Sequence, residues 1–219
     1  MTLLDRARSL TSGGLLAAGV LLVLVGGCAQ QPPGSLIIAS THGRFNQVFT
    51  AAYHAQVTAG DRDIVLLDGA AKAALDGHPT DSPVRQVVRL RVLWNATRDL
   101  KADHTSSSNA TLHWYVLGNT TQTANQVIEY SGTAMVVLEQ DGSDTLCSIR
   151  GASMRMVAKR GTLSDPIGLA SLKGTIRATD NPPIARRVLA EVRDLILADL
   201  SQSQNSLPPL ADKASSMAR

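Results

Sequence analysis

The chain has 219 residues, 44% hydrophobic and 18% charged, which suits one domain with terminal extensions and an apolar core. Two Trp, three Tyr and two Phe are too few to supply the aromatic platforms on which single-stranded nucleic acid stacks. The net charge of +3 comes from a mixed set of acidic and basic residues, so the composition predicts no nucleic-acid partner.

The amino terminus has the pattern of a secretory signal. Asp5, Arg6 and Arg8 give a short, slightly positive segment, and an apolar run follows over residues 15–25. The eleven residues of this run rise only about 16 Å as a helix, too little for a bilayer core of about 30 Å. This length instead predicts the hydrophobic region of a signal peptide.

A short motif follows the apolar run directly, because residues 25–28 read Val-Gly-Gly-Cys. This motif resembles the lipobox of bacterial lipoproteins, in which an aliphatic residue and two small residues precede a cysteine. The resemblance covers only the first 28 residues. It implies diacylglycerol on the thiol of Cys28, cleavage before that residue and often a third acyl chain. An ordinary secretory signal or a lone membrane helix is the alternative.

The resemblance also implies a location and a lipid partner, since the chain would be anchored in a membrane of the cell envelope and face the periplasm. Ala29 stands where the Gram-negative sorting rule has Asp for retention at the inner membrane, so the outer membrane is favoured. The polar segment from Ala29 to Ser35 reaches at most about 25 Å, which keeps the folded domain near the lipid surface.

Four segments are predicted along the chain. They are a signal peptide over 1–27, the lipidated cysteine with a short tether over 28–35, one folded domain over 36–200 and a disordered tail over 201–219. The tail is polar and has no apolar period. If Cys28 carries lipid, Cys147 has no cysteine partner, and a buried structural thiol is predicted there.

The first part of the domain predicts a strand, a helix and a second strand. Residues 36–39 form a short apolar run that is typical of a buried strand. A helix is predicted next, because apolar side chains recur at the i, i+3, i+4, i+7 spacing of one face at Phe45, Val48, Phe49 and Ala52. The following elements are a strand over 64–67, a small helix over 69–75 and a loop over 77–83.

From Val87 the apolar period changes to two, which predicts half-buried strands. The alternating runs lie at 87–95, 112–116, 127–139, 145–159 and 172–178. A helix over 84–97 is an alternative for the first of them. Asp141-Gly142 predicts a hairpin, and the change of phase near Gly151 predicts a β-bulge.

A last helix is predicted to begin at Asp180-Asn181-Pro182, and its apolar stripe runs to Leu200. The element order predicts an α+β domain, a mainly antiparallel sheet of about five to seven strands with an N-terminal and a C-terminal helix packed on it. This order resembles small envelope lipoproteins of the LPS-assembly type, in which two helices pack on a sheet. A curved sheet of the NTF2-like kind is the alternative.

The titratable residues form no evident catalytic, metal-binding or cofactor motif. The five histidines give no i, i+4 metal pair, and the chain has no nucleophile elbow, P-loop or dinucleotide fingerprint. Asp103-His104 is typical of a solvated loop, and His113 is typical of a structural side chain on a strand. Three aspartates cluster near the second strand without the spacing of a calcium loop, at Asp61, Asp63 and Asp68. No cofactor and no metal are predicted.

Basic residues on the predicted strands are the remaining candidates for a site. Arg89 and Arg91 project from one face of their strand and, with cations on a strand predicted to lie beside it, form a possible strip for anionic lipid or glycan. The cations on that second strand are Arg150, Arg155 and Lys159. Arg89, Arg91 and Arg155 are the candidate binding residues, and a solvated sheet face is the alternative.

The sequence therefore favours a membrane-anchored envelope lipoprotein that acts near the membrane surface as a non-enzymatic accessory or binding module. Its predicted partners are the membrane and an envelope protein. The alternative is an envelope enzyme or small-ligand-binding protein with a cavity in a curved sheet, using residues such as His113 or Asp63. Whether the protein is an enzyme stays open at this point.

Overall fold

The computed structural model describes residues 33–58, 60–95 and 108–205, with side chains as far as Leu197. Several predicted features lie outside these residues: the signal peptide, Cys28, most of the tether, Asp103-His104 and the chain beyond Asn205.

Nine strands and two helices form within the described residues. In chain order they are β1 (Gly34–Ser40), β2 (Gly43–Phe49), β3 (Ala51–Gln56), β4 (Arg62–Leu67), α1 (Gly69–Leu75), β5 (Val84–Val92), β6 (Ala110–Gly118), β7 (Val127–Asp141), β8 (Asp144–Arg160), β9 (Ala170–Asp180) and α2 (Pro182–Asn205). The mainly antiparallel sheet is confirmed, and it has more strands than the five to seven predicted.

The sheet closes on itself through β9. Its strand order is β2-β1-β9-β3-β4-β5-β6-β7-β8, and β8 pairs back with β9. One edge of β9 pairs with β8, while the other pairs first with β1 and then with β3. The β3–β9 contact is a short parallel pairing that joins Tyr53 to Thr179 and His54 to Asp180. This small seam completes the closure.

The inward face of the closed sheet forms the main apolar core. Phe49, Trp114 and Tyr130 are fully buried there, and the ring centroids of Phe49 and Trp114 lie 5.8 Å apart. Leucine, isoleucine, valine and alanine from the strands other than β2 fill most of the remaining space. Because each strand alternates, the residues between these positions point outward, to solvent or to the helices.

The helices cover part of the outward face in a second apolar cluster. Ala185, Val188 and Val192 of α2 pack over β3 and β4, as the predicted stripe requires. Asn181 Oδ1 caps α2 by accepting from the Ile184 amide at 3.2 Å, and Asp68 Oδ1 caps α1 at 2.7 Å. The predicted helix over 69–75 and the last helix are therefore confirmed, although α2 continues past Leu200 into the predicted tail. No helix in the described ranges combines the length and hydropathy needed to span a membrane.

The predicted N-terminal helix is wrong, because this part of the chain forms β2 and β3. The strand alternation changes phase at Thr50, between the two. Phe49 on β2 and Ala52 on β3 are buried in the inward core, and Phe45, although 36% exposed, lies on the same face of β2 opposite the buried Ile38. The phase change therefore gives inward positions the i, i+4, i+7 spacing of a helix. Val48 was assigned to the same face, but it points outward and is 50% exposed.

The strands predicted from Ile64 onward are confirmed, except that the run at 87–95 is a strand only as far as Val92, and the helical alternative for 84–97 is wrong because β5 occupies residues 84–92. Gly142 takes a left-handed φ of 63° in the hairpin between β7 and β8. The register of β8 shifts near Gly151, as predicted. β1 begins at Gly34, so the last two residues of the predicted tether already belong to the sheet.

A matched pair of substitutions on β7 tests the direction in which its side chains point. Val136 faces the core with no exposed surface, whereas Thr133 faces solvent. We expect Val136→Asp to lower the free energy of unfolding by about 3 kcal/mol or more, because it buries an unpaired charge. Thr133→Asp should lower it by less than about 1 kcal/mol. Urea unfolding measures both, and equal losses would contradict this orientation.

Candidate functional site

A groove of about 320 Å³ lies on the outward face where β2, β1, β9 and β8 run side by side. Ile37 and Ala39 of β1 form its floor together with Ser171 of β9. Three cationic side chains line it: Arg44 from β2, Arg150 from β8 and Lys173 from β9. It is separate from the part of the sheet under α2, which packs on β3 and β4.

The strand register brings these side chains to one face. Ala39 lies opposite Arg44 on β2 and opposite Ser171 on β9. Ile37 lies opposite Lys173. Residues in direct register on neighbouring strands share a face, so the Arg44 and Lys173 side chains flank the same strip of β1.

A β-bulge places the third cation. On the β7 side, Ile149 and Gly151 of β8 are paired and Arg150 between them has no partner. On the β9 side, Arg150 and Gly151 lie together opposite Lys173. A bulge bends its strand and redirects the extra side chain, which accounts for Arg150 among the residues that line the groove. A Cβ added to Gly151 would meet no atom within 4 Å, so this position opens onto free space.

The groove carries an uncompensated positive charge. Arg44, Arg150 and Lys173 are all exposed. Within residues 33–58, 60–95 and 108–205, no carboxylate forms an ion pair with any of them. Like charges around a concave surface reinforce one another and attract anions. The arrangement therefore favours an anionic ligand.

The predicted candidates Arg89 and Arg91 are neutralised by neighbouring aspartates. Arg89 Nε and Nη2 donate to the two carboxylate oxygens of Asp63 at 2.9 and 3.0 Å. Arg91 Nη2 donates to Asp61 Oδ2 at 3.1 Å. With Asp68 capping α1, these contacts account for the whole acidic cluster seen in the sequence. Neither arginine belongs to the groove.

The predicted candidate Arg155 lies beside the groove. It shares one cross-strand row with Arg89, but β6 and β7 separate the two strands, a span of about 14 Å. The predicted neighbourhood of the two strands is therefore wrong. Arg155 is exposed and lies two residues along β8 from Ser153, which faces Ser171. It extends the basic surface without lining the groove.

Sequence reasoning missed two of the three groove cations. Arg44 is not among the apolar positions of the helix predicted over this segment, and a helix there does not predict its place on β2. Lys173 lies between the inward-facing Leu172 and Gly174, so the two-residue period of β9 already indicates that its side chain points outward. The sequence predicts a bulge near Gly151 and places Arg150 in a possible basic strip. It does not predict which residues of β9 lie beside them.

His113 belongs to an ordered polar ladder on the outward face. Its Nδ1 lies 3.0 Å from Glu129 Oε1, and its ring stacks on Tyr115 with centroids 6.1 Å apart. Burial, followed by the charge of Glu129, raises the pKa of Tyr115 to about 12, so its hydroxyl keeps its proton. These contacts fix the imidazole between two neighbours.

A second polar cluster, with His54 and Thr145 buried, lies at the seam that closes the sheet. Arg62 Nη1 donates to Thr145 Oγ1 at 2.7 Å, and Thr145 Oγ1 lies 3.2 Å from His54 Nε2. His54 Nδ1 is 3.7 Å from Asp180 Oδ1. This order resembles a hydroxyl–imidazole–carboxylate chain, but Thr145 has no exposed surface and offers a substrate no access. The cluster ties β8, β3, β4 and β9 together.

Cys147 is the residue for which a buried structural thiol is predicted. Cys147 points into the core with no exposed surface, and burial raises its pKa to about 12. The thiol is therefore protonated at neutral pH and poorly nucleophilic.

Comparisons with protein-family models, curated proteins and solved structures gave no match to the chain. The groove presents two guanidinium groups, an ammonium group and the Ser171 hydroxyl. This donor set fits a phosphate or carboxylate group.

The buried imidazole predicts a pH dependence of stability. Burial and the charge of Arg62 lower the pKa of His54, against the opposing effect of Asp180. The folded state therefore favours neutral His54. The contribution of His54 to the free energy of unfolding is fully present above its unfolded pKa of about 6.5. It is lost as pH falls through the lower folded pKa, by up to about 1.4 kcal/mol per pH unit.

His54→Gln keeps an acceptor for Thr145 but cannot titrate. Urea unfolding between pH 7.5 and pH 5 should show a smaller loss of stability in this variant than in the wild type. The same pH dependence in both proteins would contradict the role given to His54.

Proposed function

We propose that the chain is a lipid-anchored protein of the bacterial envelope that acts as a non-enzymatic accessory or binding module at the membrane surface. The observation that carries the anchor is the sequence Val-Gly-Gly-Cys at 25–28, directly after an apolar run of signal-peptide length. Two or three acyl chains on Cys28 suffice for stable attachment. Ala29 favours the outer membrane, with the domain facing the periplasm.

The short tether links the anchor to the basic groove. From Cys28 to Gly34, where β1 begins, the chain extends by at most about 20 Å. Ile37 and Ala39 on the groove floor belong to the same strand. The groove therefore works close to the lipid surface, where anionic headgroups attract basic side chains. An envelope protein with an acidic surface is the second partner that this charge suits.

The alternative function was an enzyme or a binder of small ligands with a cavity inside a curved sheet. Where the structure describes the interior, Phe49, Trp114 and Tyr130 fill it. The Thr145–His54–Asp180 chain is the observation that favours catalysis, and its hydroxyl is fully enclosed. A surface-binding role therefore has the better support.

The anchor is tested by metabolic labelling with palmitate in a bacterial host. We expect the wild-type chain to incorporate label and to fractionate with membranes. Cys28→Ser should incorporate none, because the acceptor thiol is gone. Cys147→Ser is the matched control, since it removes the other cysteine and should label like the wild type. Equal labelling of wild type and Cys28→Ser would refute the lipoprotein assignment.

A further inference from the structure

We propose that the groove between β2, β1, β9 and β8 is a defined site for the phosphate group of one anionic phospholipid headgroup. Its membrane location rests on the proposed function, because the anchor brings the groove to the lipid surface. The claim is stronger than general attraction of a basic surface to an anionic membrane. It requires one ligand held by particular side chains.

The number and type of donors favour phosphate. Arg44 and Arg150 each present a planar fork of N–H donors, and Lys173 adds a compact ammonium group. A phosphodiester has two non-bridging oxygens that share one negative charge and two ester oxygens, so several of these donors can be satisfied at once. Ser171 on the floor adds a hydroxyl. A single carboxylate would leave part of this donor set unused.

The backbone, as well as the charge, shapes the site. The bulge in β8 brings Arg150 and Gly151 together opposite Lys173. Gly151 has no side chain and leaves free space next to both cations. Without the bulge, the residues of β8 would pair one to one with those of β9. Arg150 and Gly151 would then not lie together opposite Lys173. The groove is thus a formed concavity, of about 320 Å³.

The apolar surroundings favour a lipid over a free ion. Ile37 and Ala39 add apolar surface to the groove on β1, between the strands that carry Arg44 and Lys173. Val48, on the same outward face, is 50% exposed and lies opposite Ser35 of β1. A headgroup with its glycerol backbone and first methylenes can contact both kinds of surface, whereas a free phosphate ion uses only the charges.

Native mass spectrometry of the full lipidated protein in nonionic detergent tests the site by counting bound lipid. The probe is phosphatidylglycerol, with zwitterionic phosphatidylcholine as the reference and inorganic phosphate as a competitor. We expect one phosphatidylglycerol per chain in a saturable adduct that phosphatidylcholine does not form. Displacement of the lipid by inorganic phosphate would overturn the lipid assignment in favour of a free-ion site.

Three variants separate a site from a diffuse charge. Arg150→Gln and Arg155→Gln each remove one positive charge from β8, but only the first lies in the groove. We expect Arg150→Gln to weaken binding at least about tenfold and Arg155→Gln less than about twofold. Gly151→Leu changes no charge and fills the groove, so it should weaken binding about as much as Arg150→Gln.

The thermal midpoint of each variant checks that it folds, and the open surroundings of Gly151 predict no loss for Gly151→Leu. Equal weakening by Arg150→Gln and Arg155→Gln, or full binding by Gly151→Leu, would overturn the site. Those results would leave the lipid anchor standing, because palmitate labelling tests the anchor independently. Absence of palmitate label on the wild-type chain would refute the anchor, while the lipid adduct could still be measured.

Discussion

β9 pairs along both of its edges, and this double pairing decides how the rest of the molecule is arranged. Because β8 lies on one side and β1 and β3 on the other, the sheet has an inside and an outside. The inside takes the apolar positions of every strand and is filled by large side chains such as Trp114. A compact closed interior leaves function to the outward positions, where polar residues avoid the penalty of burial.

The outward face is divided by what covers it. α2 and α1 cover β3, β4 and β5, where Arg85 meets Glu191 at 2.9 Å and Arg89 meets Asp63. On β2, β8 and β9, three of the described cations, Arg44, Arg150 and Lys173, have no carboxylate partner and line a groove. The bulge at Arg150 has two effects. It bends β8, which adds the curvature that closure of the sheet needs, and it redirects the Arg150 side chain.

Local patterning predicts this fold well wherever a strand keeps its phase. The alternating runs from β5 onward, the hairpin at Gly142 and the cap at Asn181 could all be identified from neighbours in sequence. The chain from β2 to β3 could not, because a single phase change at Thr50 gives Phe45, Phe49 and Ala52 helical spacing. Closure itself depends on contacts between strands far apart in sequence, and no local period reports them.

The availability of surface charges also depends on contacts between strands that the local pattern does not report. Alternation correctly put Arg89 and Arg91 on one outward face, yet their availability depended on Asp61 and Asp63, which the register of β4 against β5 brings into reach. Such cations, paired across neighbouring strands, have little charge left for a ligand. Arg150 has no such neighbour, because β9 places Lys173 opposite it and β7 places Met135 and Val136 beside it, none of them a carboxylate. What a surface charge can bind is thus decided by the residue opposite it, and that residue is set by register.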